Sequence, residues 1–283
     1  MKVWLNGKLV DERKAALPVF DHGTLYGDGV FEGIRVYNGK IFQCQAHIDR
    51  LFDSAKYIRL AIPYTKQELI DAMRETLDAN GRDDGYIRLA VTRGAGTLGL
   101  SPFKCPKPNV FIIAASIELY PKEMYRDGMA VIIAKTVRTA AAMLRPAAKT
   151  LNYLNNILAK IEAIDAGVAE AIMLNTQGNI AECTGDNIFI VADGKLITPP
   201  QSAGVLVGIT RGVVMDLAAK LSIEVVEKDI TPGELYAADE CFLTGTAAEV
   251  IPVTRIDGRY IGSGRPGQTT AKLTAAFRDF IQQ

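Results

Sequence analysis

Two β-hairpins are predicted near the start of this chain from the alternation of apolar and polar positions. Residues 3–5 and 8–10 flank Asn6-Gly7, a pair that favours the positive φ angles of a two-residue turn. Residues 31–37 and 40–43 flank Asn38-Gly39 in the same way. The chain is therefore expected to open with antiparallel β structure.

Apolar residues then recur at helical spacing over residues 46–60 and again over residues 65–79. Thr65 with Glu68 three positions later is the signature of a capping box, and Gly81 follows the predicted end of this second helix. Strands are predicted over residues 86–92 and 110–116.

The pattern breaks over residues 118–128, where charged residues accompany Pro121 and Gly128. We therefore expect a small N-terminal domain over 1–117, a linker over 118–128 and a larger C-terminal domain over 129–283. The C-terminal half contains helical patterns at 151–166, 208–221 and 267–281, with a short helix near Leu235. Its predicted strands are 130–135, 171–174, 188–191, 196–198, 224–227, 240–243 and 250–255. Strands and helices mix without strict βαβ alternation, which predicts an α+β class.

The amino-acid composition argues against several classes of protein and leaves the predicted fold class unchanged. Hydrophobic residues make up 48% of the 283 residues, and 32 basic side chains balance 32 acidic ones. A net charge of zero removes the electrostatic argument for nucleic acid or an anionic membrane as partner. Neither an apolar run of about 20 residues nor a signal-like N-terminus is present. Four scattered cysteines and two histidines predict no disulfide framework and no metal site, so we expect a cytoplasmic protein with reduced thiols.

Lys149 is the first candidate for chemistry, because it lies between a run of small residues and a predicted helix. A desolvated lysine amine is a nucleophile that can form a Schiff base with an aldehyde cofactor. A solvated lysine before a helix is the commoner explanation for such a position. Glu182 follows a predicted turn and precedes Gly185, and a carboxylate of this kind can keep a pyridine nitrogen protonated. An ordinary loop acid is the alternative, and Asn187 is either a turn residue or a hydrogen-bonding neighbour.

Two glycine-containing segments are candidate anion sites. Gly208-Ile209-Thr210-Arg211 opens a predicted helix, whose unpaired N–H groups suit a phosphate. Gly245-Thr246-Ala247-Ala248 follows a predicted strand and offers a second group of backbone donors. A glycine before a helix usually only makes a turn, so neither segment is decisive by itself.

Together these segments resemble the fold-type IV pyridoxal-phosphate enzymes, and most closely the branched-chain amino acid aminotransferases. The resemblance extends from Trp4 to about Phe280. Its most specific stretch is Glu182-x-Thr184-x-x-Asn187-Ile188-Phe189, continued by Thr198 and Gly208-Ile209-Thr210-Arg211. Further matching pieces are Tyr26-Gly27-Asp28-Gly29-Val30-Phe31-Glu32-Gly33-Ile34-Arg35, His47-x-x-Arg50-Leu51, Tyr86-Ile87-Arg88 and Thr244-Gly245-Thr246-Ala247-Ala248-Glu249.

The resemblance implies a two-domain fold like that of D-amino acid aminotransferases. A cofactor cleft would lie between a smaller N-terminal α/β domain and a larger C-terminal domain. It also implies a homodimer or higher homo-oligomer, with amino acids and 2-oxo acids as small-molecule partners and pyridoxal 5′-phosphate as cofactor.

For the cofactor, the resemblance implies that Lys149 forms the Schiff base and moves the proton between substrate Cα and cofactor C4′, while Glu182 holds the pyridine nitrogen. Tyr153, four residues after Lys149 and so on the same helical face, would contact the phenolic oxygen. Arg50 would bind the cofactor phosphate, helped by Ile209, Thr210 and Thr246 through backbone and hydroxyl groups. Asn187, Gly208 and Gly245 complete the implied set of cofactor-binding residues.

For the substrate, the resemblance implies that Tyr86 and the backbone amides of Thr246 and Ala247 receive the α-carboxylate. The side-chain pocket would be lined by Phe31, Gly33, Tyr153 and Tyr26, the last of them from either subunit, with Arg35 and Arg88 as donors for the γ-carboxylate of glutamate. The implied reaction is reversible transamination between leucine, isoleucine or valine and 2-oxoglutarate.

Other functions remain open on the same fold. D-amino acid aminotransferases typically have an Arg-x-His carboxylate trap, whereas Thr92-Arg93-Gly94 here leads into a stretch without histidine. Aminodeoxychorismate lyases share the cofactor residues, but the segments around Phe31 and Tyr86 look more like the branched-chain group. A cofactor-binding protein without catalysis is a third alternative, and the presence of every expected cofactor group argues against it.

Overall fold

The computed structural model describes residues 1–282 and divides into two compact units. The first unit contains residues 1–117 and 148–152, and the second contains residues 118–147 and the chain from Tyr153 onward. Two expectations about the domains are therefore wrong. Residues 118–128 belong to the second unit, because Tyr120 is buried in its hydrophobic core. The segment with Lys149 belongs to the first unit, because it is hydrogen-bonded there.

The first unit is an antiparallel sheet with two long α-helices and one short one. Its elements are β1 (Lys2–Leu5), β2 (Lys8–Asp11), α1 (His22–Tyr26), β3 (Gly29–Tyr37), β4 (Lys40–Ile41), α2 (Cys44–Tyr57), α3 (Lys66–Ala79), β5 (Gly85–Thr92) and β6 (Asn109–Ala115). Six of the described strands form one sheet in the order β2-β1-β6-β5-β3-β4. β3 pairs with β5 from Gly29 to Val36, with Gly33 opposite Arg88.

Side-chain alternation on β3 separates a packed face from a second face. Val30, Ile34 and Val36 are fully buried and belong to the core formed with α2 and α3. Successive residues of a strand point to opposite faces, so Phe31 and Gly33 lie on the face away from the helices. This second face includes several of the residues that the sequence indicated for substrate binding.

The second unit has a larger mixed sheet. Its elements are α4 (Lys122–Asp127), β7 (Met129–Ile133), α5 (Leu154–Asp165), β8 (Glu170–Leu174), β9 (Ile180–Cys183), β10 (Asn187–Ala192), β11 (Lys195–Thr198), α6 (Ile209–Lys220), β12 (Val225–Glu227), α7 (Pro232–Tyr236), β13 (Glu240–Gly245), β14 (Glu249–Ile256), β15 (Arg259–Tyr260) and α8 (Gln268–Gln282). Nine of the described strands form a sheet in the order β12-β11-β10-β13-β14-β7-β8-β9, with β15 beside β14. Parallel pairs (β7 with β8 and β14) occur next to antiparallel ones, as the α+β class predicts.

The local sequence signals are confirmed where turns and caps decide the structure. Asn6 and Gly7 both have positive φ in the first hairpin turn. Thr65 and Glu68 form the predicted capping box at the start of α3, with Thr65 accepting from the Glu68 amide and Glu68 accepting in return. No helix in the described part of the chain is both long and apolar enough to cross a membrane.

Around the candidate chemistry, one strand was not predicted and one helix start is wrong. Glu182, for which an ordinary loop acid was the alternative, lies on β9, which pairs with β8. The helix expected over 151–166 begins only at Leu154, because Leu151 N donates to Gly29 O and Thr150 bridges to Val30. Lys149 therefore lies outside the helix, before an isolated β-bridge, and the argument that places Tyr153 one helical turn after it does not hold.

Candidate active site

The Lys149 backbone is fixed beside β3 in the first unit. Lys149 N donates to Ser54 Oγ at 3.0 Å, and Lys149 O accepts from Phe31 N at 3.1 Å. The side chain is half-buried, and Nζ lies 4.6 Å from the centroid of the Phe31 ring. The lysine amine thus lies over an aromatic ring and comes from a segment that precedes the helix, not from the helix itself.

Phe31, Gly33, Tyr86 and Arg88 form one surface around this amine. The Arg88 guanidinium carbon lies 4.5 Å from the Phe31 centroid and 5.7 Å from the Tyr86 centroid. A Cβ on Gly33 would come within 1.7 Å of Tyr86 Oη, so only glycine allows the tyrosine to lie across this position. The structure therefore brings together five predicted residues, four of them in one cross-strand cluster and the fifth being Lys149.

Arg35 lies on the same face of β3 as Phe31 and Gly33 and pairs with Tyr86 across β3 and β5, whereas Tyr26 lies at the end of α1. Arg35 is two residues beyond Gly33, where Nη1 donates to Ile117 O at 3.4 Å and the guanidinium lies 5.0 Å from the Tyr37 ring. Tyr26 is 39% exposed at the end of α1, and its hydroxyl accepts from Gly99 N at 3.2 Å. Both residues have contacts of their own here, and their expected roles in the substrate pocket stay predictions.

Arg50 forms a forked ion pair with Glu32 on the helix side of β3. Arg50 Nε and Nη2 lie 2.7 and 2.8 Å from the two Glu32 oxygens, and His47 Nδ1 lies 2.8 Å from Glu32 Oε2. Burial alone would raise the pKa of Glu32, but the Arg50 charge and the hydrogen bonds from Arg50 and His47 lower it to about 2. The fork fixes the orientation of Arg50, whose expected role at a phosphate stays a prediction.

In the second unit, three donors hold the Glu182 carboxylate. Arg138 Nη2 lies 2.7 Å from Oε1, while Leu206 N donates to Oε2 at 2.8 Å and Asn187 Nδ2 donates to it at 3.2 Å. Arg138 and Glu182 are both buried. Arg138 is itself oriented by Asn156, whose Oδ1 accepts from Nη1 at 3.0 Å. A carboxylate satisfies all three donors at once, so the site favours an ionised Glu182.

The start of α6 has a geometry that suits an anion. Gly208 is the N-cap and has no side chain to satisfy the first helical N–H groups. Thr210 Oγ1, in the first turn, is buried and has no hydrogen-bond partner among residues 1–282. A Cβ on Gly208 would come within 2.0 Å of Asn187 Oδ1, so a glycine is required here. Free N–H groups and an unpartnered hydroxyl at a helix start suit a phosphate.

The last residue of β13 and the turn that follows it, together residues 245–247, also have a geometry that suits an anion. Gly245, Thr246 and Ala247 are half-buried, and Thr244 Oγ1 is buried with no hydrogen-bond partner in the described residues. A Cβ on Gly245 would come within 1.9 Å of Asp186 Oδ1. Tyr153 is half-buried at the N-cap of α5.

Comparison with known proteins shows which family has this architecture. The model of the amino-transferase class IV family matches residues 29–256, which is most of the chain. The chain belongs to the class IV aminotransferases. The match includes the Lys149 segment, the Glu182 strand and the glycine-containing turns described above.

Similar proteins support the same conclusion over the whole length. A Methanocaldococcus jannaschii protein, provisionally named a branched-chain-amino-acid aminotransferase, is 54% identical over 279 residues, covering 99% of this chain and 96% of that protein. A Bacillus licheniformis D-alanine aminotransferase is 37% identical and covers 99% and 97%. The crystal structure of the Escherichia coli branched-chain amino acid aminotransferase matches with a TM-score of 0.96 at 36% identity, covering 99% and 94%.

Class IV aminotransferases use pyridoxal phosphate, and the residues of this chain fit that group. The fit is seen in an amine fixed at Lys149, a carboxylate held ionised at Glu182 and a helix start with an unpartnered Thr210 hydroxyl. Each of these matches one functional group of the cofactor, namely its aldehyde, its pyridine nitrogen and its phosphate.

Several residues that shape the class IV site were not predicted individually. Arg138 lies in a stretch without regular periodicity, so nothing in the sequence indicates that it pairs with Glu182. Glu32 and His47 were part of quoted motifs but had no assigned role. The three-residue spacing of His47 and Arg50 on one helix face was an available signal for a shared partner.

Proposed function

We propose that this chain is a branched-chain amino acid aminotransferase, which transfers the amino group between leucine, isoleucine or valine and 2-oxoglutarate. The observation that supports it best is the buried Glu182 carboxylate with its three donors, because an ionised acid is what a protonated pyridine nitrogen requires. The 54% identity to the M. jannaschii protein and the similarity to the E. coli structure favour the branched-chain substrates.

Lys149 and Glu182 would perform the central steps. When bound, pyridoxal phosphate supplies an aldehyde for amine exchange and a ring that accepts the electron pair left by the α-proton. The Lys149 amine would bind that aldehyde, take the proton from substrate Cα and return it to C4′. Glu182 would keep the ring nitrogen protonated, and its ion pair with Arg138 would prevent it from taking that proton itself.

The phosphate would be bound by Ile209 and Thr210 at the start of α6, with Arg50 and Thr246 contributing. The support is the glycine N-cap at Gly208 and the unpartnered Thr210 hydroxyl. Gly245 would allow its turn to approach the cofactor, Asn187 would help to orient Glu182, and Tyr153 would contact the phenolic oxygen.

The substrate would lie against the Phe31 surface. Phe31 and Gly33 provide an apolar wall for an aliphatic side chain, while Arg88 beside them provides a cation for the γ-carboxylate of glutamate. The amides of Thr246 and Ala247, with the Tyr86 hydroxyl, would bind the α-carboxylate. Arg35 and Tyr26 would complete the pocket.

The test is a panel of half-reactions in which the purified holoenzyme is mixed with single L- and D-amino acids. We expect L-leucine, L-isoleucine and L-valine to bleach the cofactor absorbance, with L-glutamate doing so as well and alanine of either hand much more slowly. Bleaching by D-alanine in preference to the L-amino acids would instead establish the D-specific activity that the B. licheniformis relative is named for. Formation of 4-aminobenzoate from aminodeoxychorismate would establish the lyase.

We also propose that the enzyme is a homodimer and cytoplasmic. Five apolar side chains on α5 are between 47% and 67% exposed, and they recur at helical spacing along one face. These side chains are Leu154, Ile157, Leu158, Ile161 and Ile164. A contiguous exposed apolar face of this kind is typical of a subunit interface. Light scattering should give a dimer or a multiple of it, and Ile161→Lys should shift the protein towards monomer.

The proposed cytoplasmic location is tested by cell fractionation, in which the enzyme is expected in the cytoplasmic fraction.

A further inference from the structure

A buried group of acids lies beneath the turn after β13. The Tyr120 hydroxyl oxygen is 3.0 Å from Glu170 Oε2 and 3.0 Å from Asp186 Oδ2, and all three side chains are buried. A phenol has one proton to donate. If both acids were ionised, one carboxylate oxygen would face a hydroxyl lone pair with no proton between them. The geometry therefore requires a proton on one of the two acids.

The surrounding donors identify Glu170 as the ionised member. Glu170 Oε1 accepts from Ala171 N at 2.8 Å and from Thr184 N at 3.0 Å, and Oε2 lies 3.3 Å from Lys160 Nζ. With the Tyr120 hydroxyl as a fourth donor, these contacts suit a carboxylate. Asp186 is then the carboxylic acid, donating from Oδ2 to the Tyr120 oxygen, while Tyr120 donates to Glu170.

The electrostatics of the group agree with this assignment. Burial first, and then the Glu170 charge, raise the pKa of Asp186 to about 7, with a smaller contribution from Glu182 in the same direction. The Tyr120 hydrogen bond and the Lys160 charge act in the opposite direction. Beside this group, burial also raises the pKa of the Cys183 thiol, so that thiol adds no charge near neutral pH.

The position of Asp186 connects this acid to the proposed anion site. Asn187 pairs with Thr244 across β10 and β13, which places the preceding Asp186 beside Gly245. The contact is so close that a Cβ on Gly245 would come within 1.9 Å of Asp186 Oδ1. The Asp186 carboxyl therefore lies against the first residue of the 245–247 turn.

We propose that Asp186 is a positioning residue held as a carboxylic acid beneath the 245–247 turn, and that its proton sets the affinity of this turn for the substrate carboxylate. A neutral acid supports the turn without adding negative charge behind its N–H groups. Loss of the proton places a charge there, which opposes a bound anion. This role rests on the proposed function, in which the turn receives the α-carboxylate.

The first experiment tests the proton itself and needs no activity. Asp186→Asn keeps a donor for Tyr120 but cannot ionise, and Asp216→Asn is the matched control, because Asp216 is exposed on α6. Infrared difference spectra of the holoenzyme at pH 6 should show a carboxylic-acid carbonyl band in wild type and in Asp216→Asn, and no such band in Asp186→Asn. The same band in all three proteins, or in none, would overturn the assignment.

Stability against pH is an independent check on the same proton. The folded protein holds the Asp186 proton to about pH 7, whereas an unfolded chain releases it near pH 4. Wild type should therefore lose stability relative to Asp186→Asn as the pH rises through this window, seen as a falling denaturant midpoint. A constant difference between the two midpoints would contradict the proposal.

The second experiment tests the role in binding. The dissociation constant of 4-methylvalerate, a carboxylate without an amine, is measured at pH 6 and pH 8.5 for the same three holoenzymes. Wild type and Asp216→Asn should weaken on the order of tenfold more than Asp186→Asn over this range. Identical pH profiles would overturn the role in binding. A wild type that shows the infrared band but binds no 4-methylvalerate at either pH would instead overturn the proposed function.

Discussion

Glu182 has donors from three separate parts of the chain. Arg138 approaches one oxygen from a loop before α5, and Asn187 and Leu206 approach the other from β10 and the segment before α6. Both members of the ion pair are buried, so neither charge can be removed without leaving the other uncompensated. Glu182 therefore contributes both to the proposed chemistry and to the stability of the fold.

Glu182→Gln should reduce kcat at least about a hundredfold while leaving the cofactor attached, because a neutral amide cannot keep the ring nitrogen protonated. The protein should also unfold at a lower denaturant concentration, because Arg138 loses its partner. Steady-state rates, the cofactor absorbance and urea unfolding measure the three effects. Glu224→Gln removes a carboxylate from an exposed pair with Lys195 and should change none of them. Activity of Glu182→Gln near the parental rate would rule out this role.

The buried ion pair of Glu32 should make the stability of the fold fall in acid. The pKa of Glu32 is lowered to about 2 in the folded protein, so its pairing with Arg50 and His47 stabilises the fold above about pH 4.5 and is lost as the pH falls through 2. The loss should amount to about 3 kcal/mol. Wild type should be more stable than Glu32→Gln at pH 7, and this difference should shrink as the pH falls from 4.5 to 2. A difference that does not change over this range would show that the ion pair contributes no such stability.

Gly33→Ala should disturb the substrate surface directly. The added methyl group would overlap Tyr86 Oη, so the ring must move away from its place beside Arg88. We expect a loss of about 1–3 kcal/mol in unfolding free energy and a raised KM for leucine. Gly212→Ala, where a Cβ meets nothing within 4 Å, is the control and should leave KM unchanged. An unchanged KM in Gly33→Ala would remove this position from the pocket.

At the scale of elements, the ends of helices were predictable where local chemistry sets them. Thr65 and Glu68 are three residues apart and satisfy each other's backbone groups, so the start of α3 is encoded within one turn. The start of α5 is set instead by the hydrogen bond from Leu151 N to Gly29 O, more than a hundred residues away in the chain. β9 was missed for a similar reason, since its four residues become a strand only by pairing with β8.

The two capping boxes give a prediction at this scale. Thr65→Ala and Thr231→Ala should each lower the unfolding free energy by about 1 kcal/mol, because each removes the side-chain acceptor for the N3 amide. Neither cap contacts the candidate site, so KM and kcat should be unchanged. Urea unfolding and steady-state rates check both statements, and Thr→Ser variants should recover most of the stability. An unchanged unfolding midpoint in both alanine variants would contradict the capping account.

At the scale of the whole molecule, the sequence predicted the class of fold but misplaced the boundary at two points. The end of the first unit after Ile117 follows a composition change that can be seen in the sequence. Residues 148–152 return to the first unit because Thr150 pairs with Val30 on β3. Tyr120 belongs to the second unit because its side chain is buried in the core of that unit. The resemblance to a known family indicated the roles of Lys149 and Glu182. The ion pair of Arg138 with Glu182 and the buried contacts of Asp186 could be seen only in the folded structure.

The most direct test of the central claim is chemical labelling of the cofactor lysine. Reduction of the holoenzyme with borohydride, followed by peptide mass spectrometry, should find the phosphopyridoxyl group on Lys149. Lys149→Ala should show no labelled peptide and lose nearly all transamination, whereas Lys220→Ala, on the exposed end of α6, should be labelled at Lys149 like wild type. A label on any other lysine, or full activity in Lys149→Ala, would contradict the account.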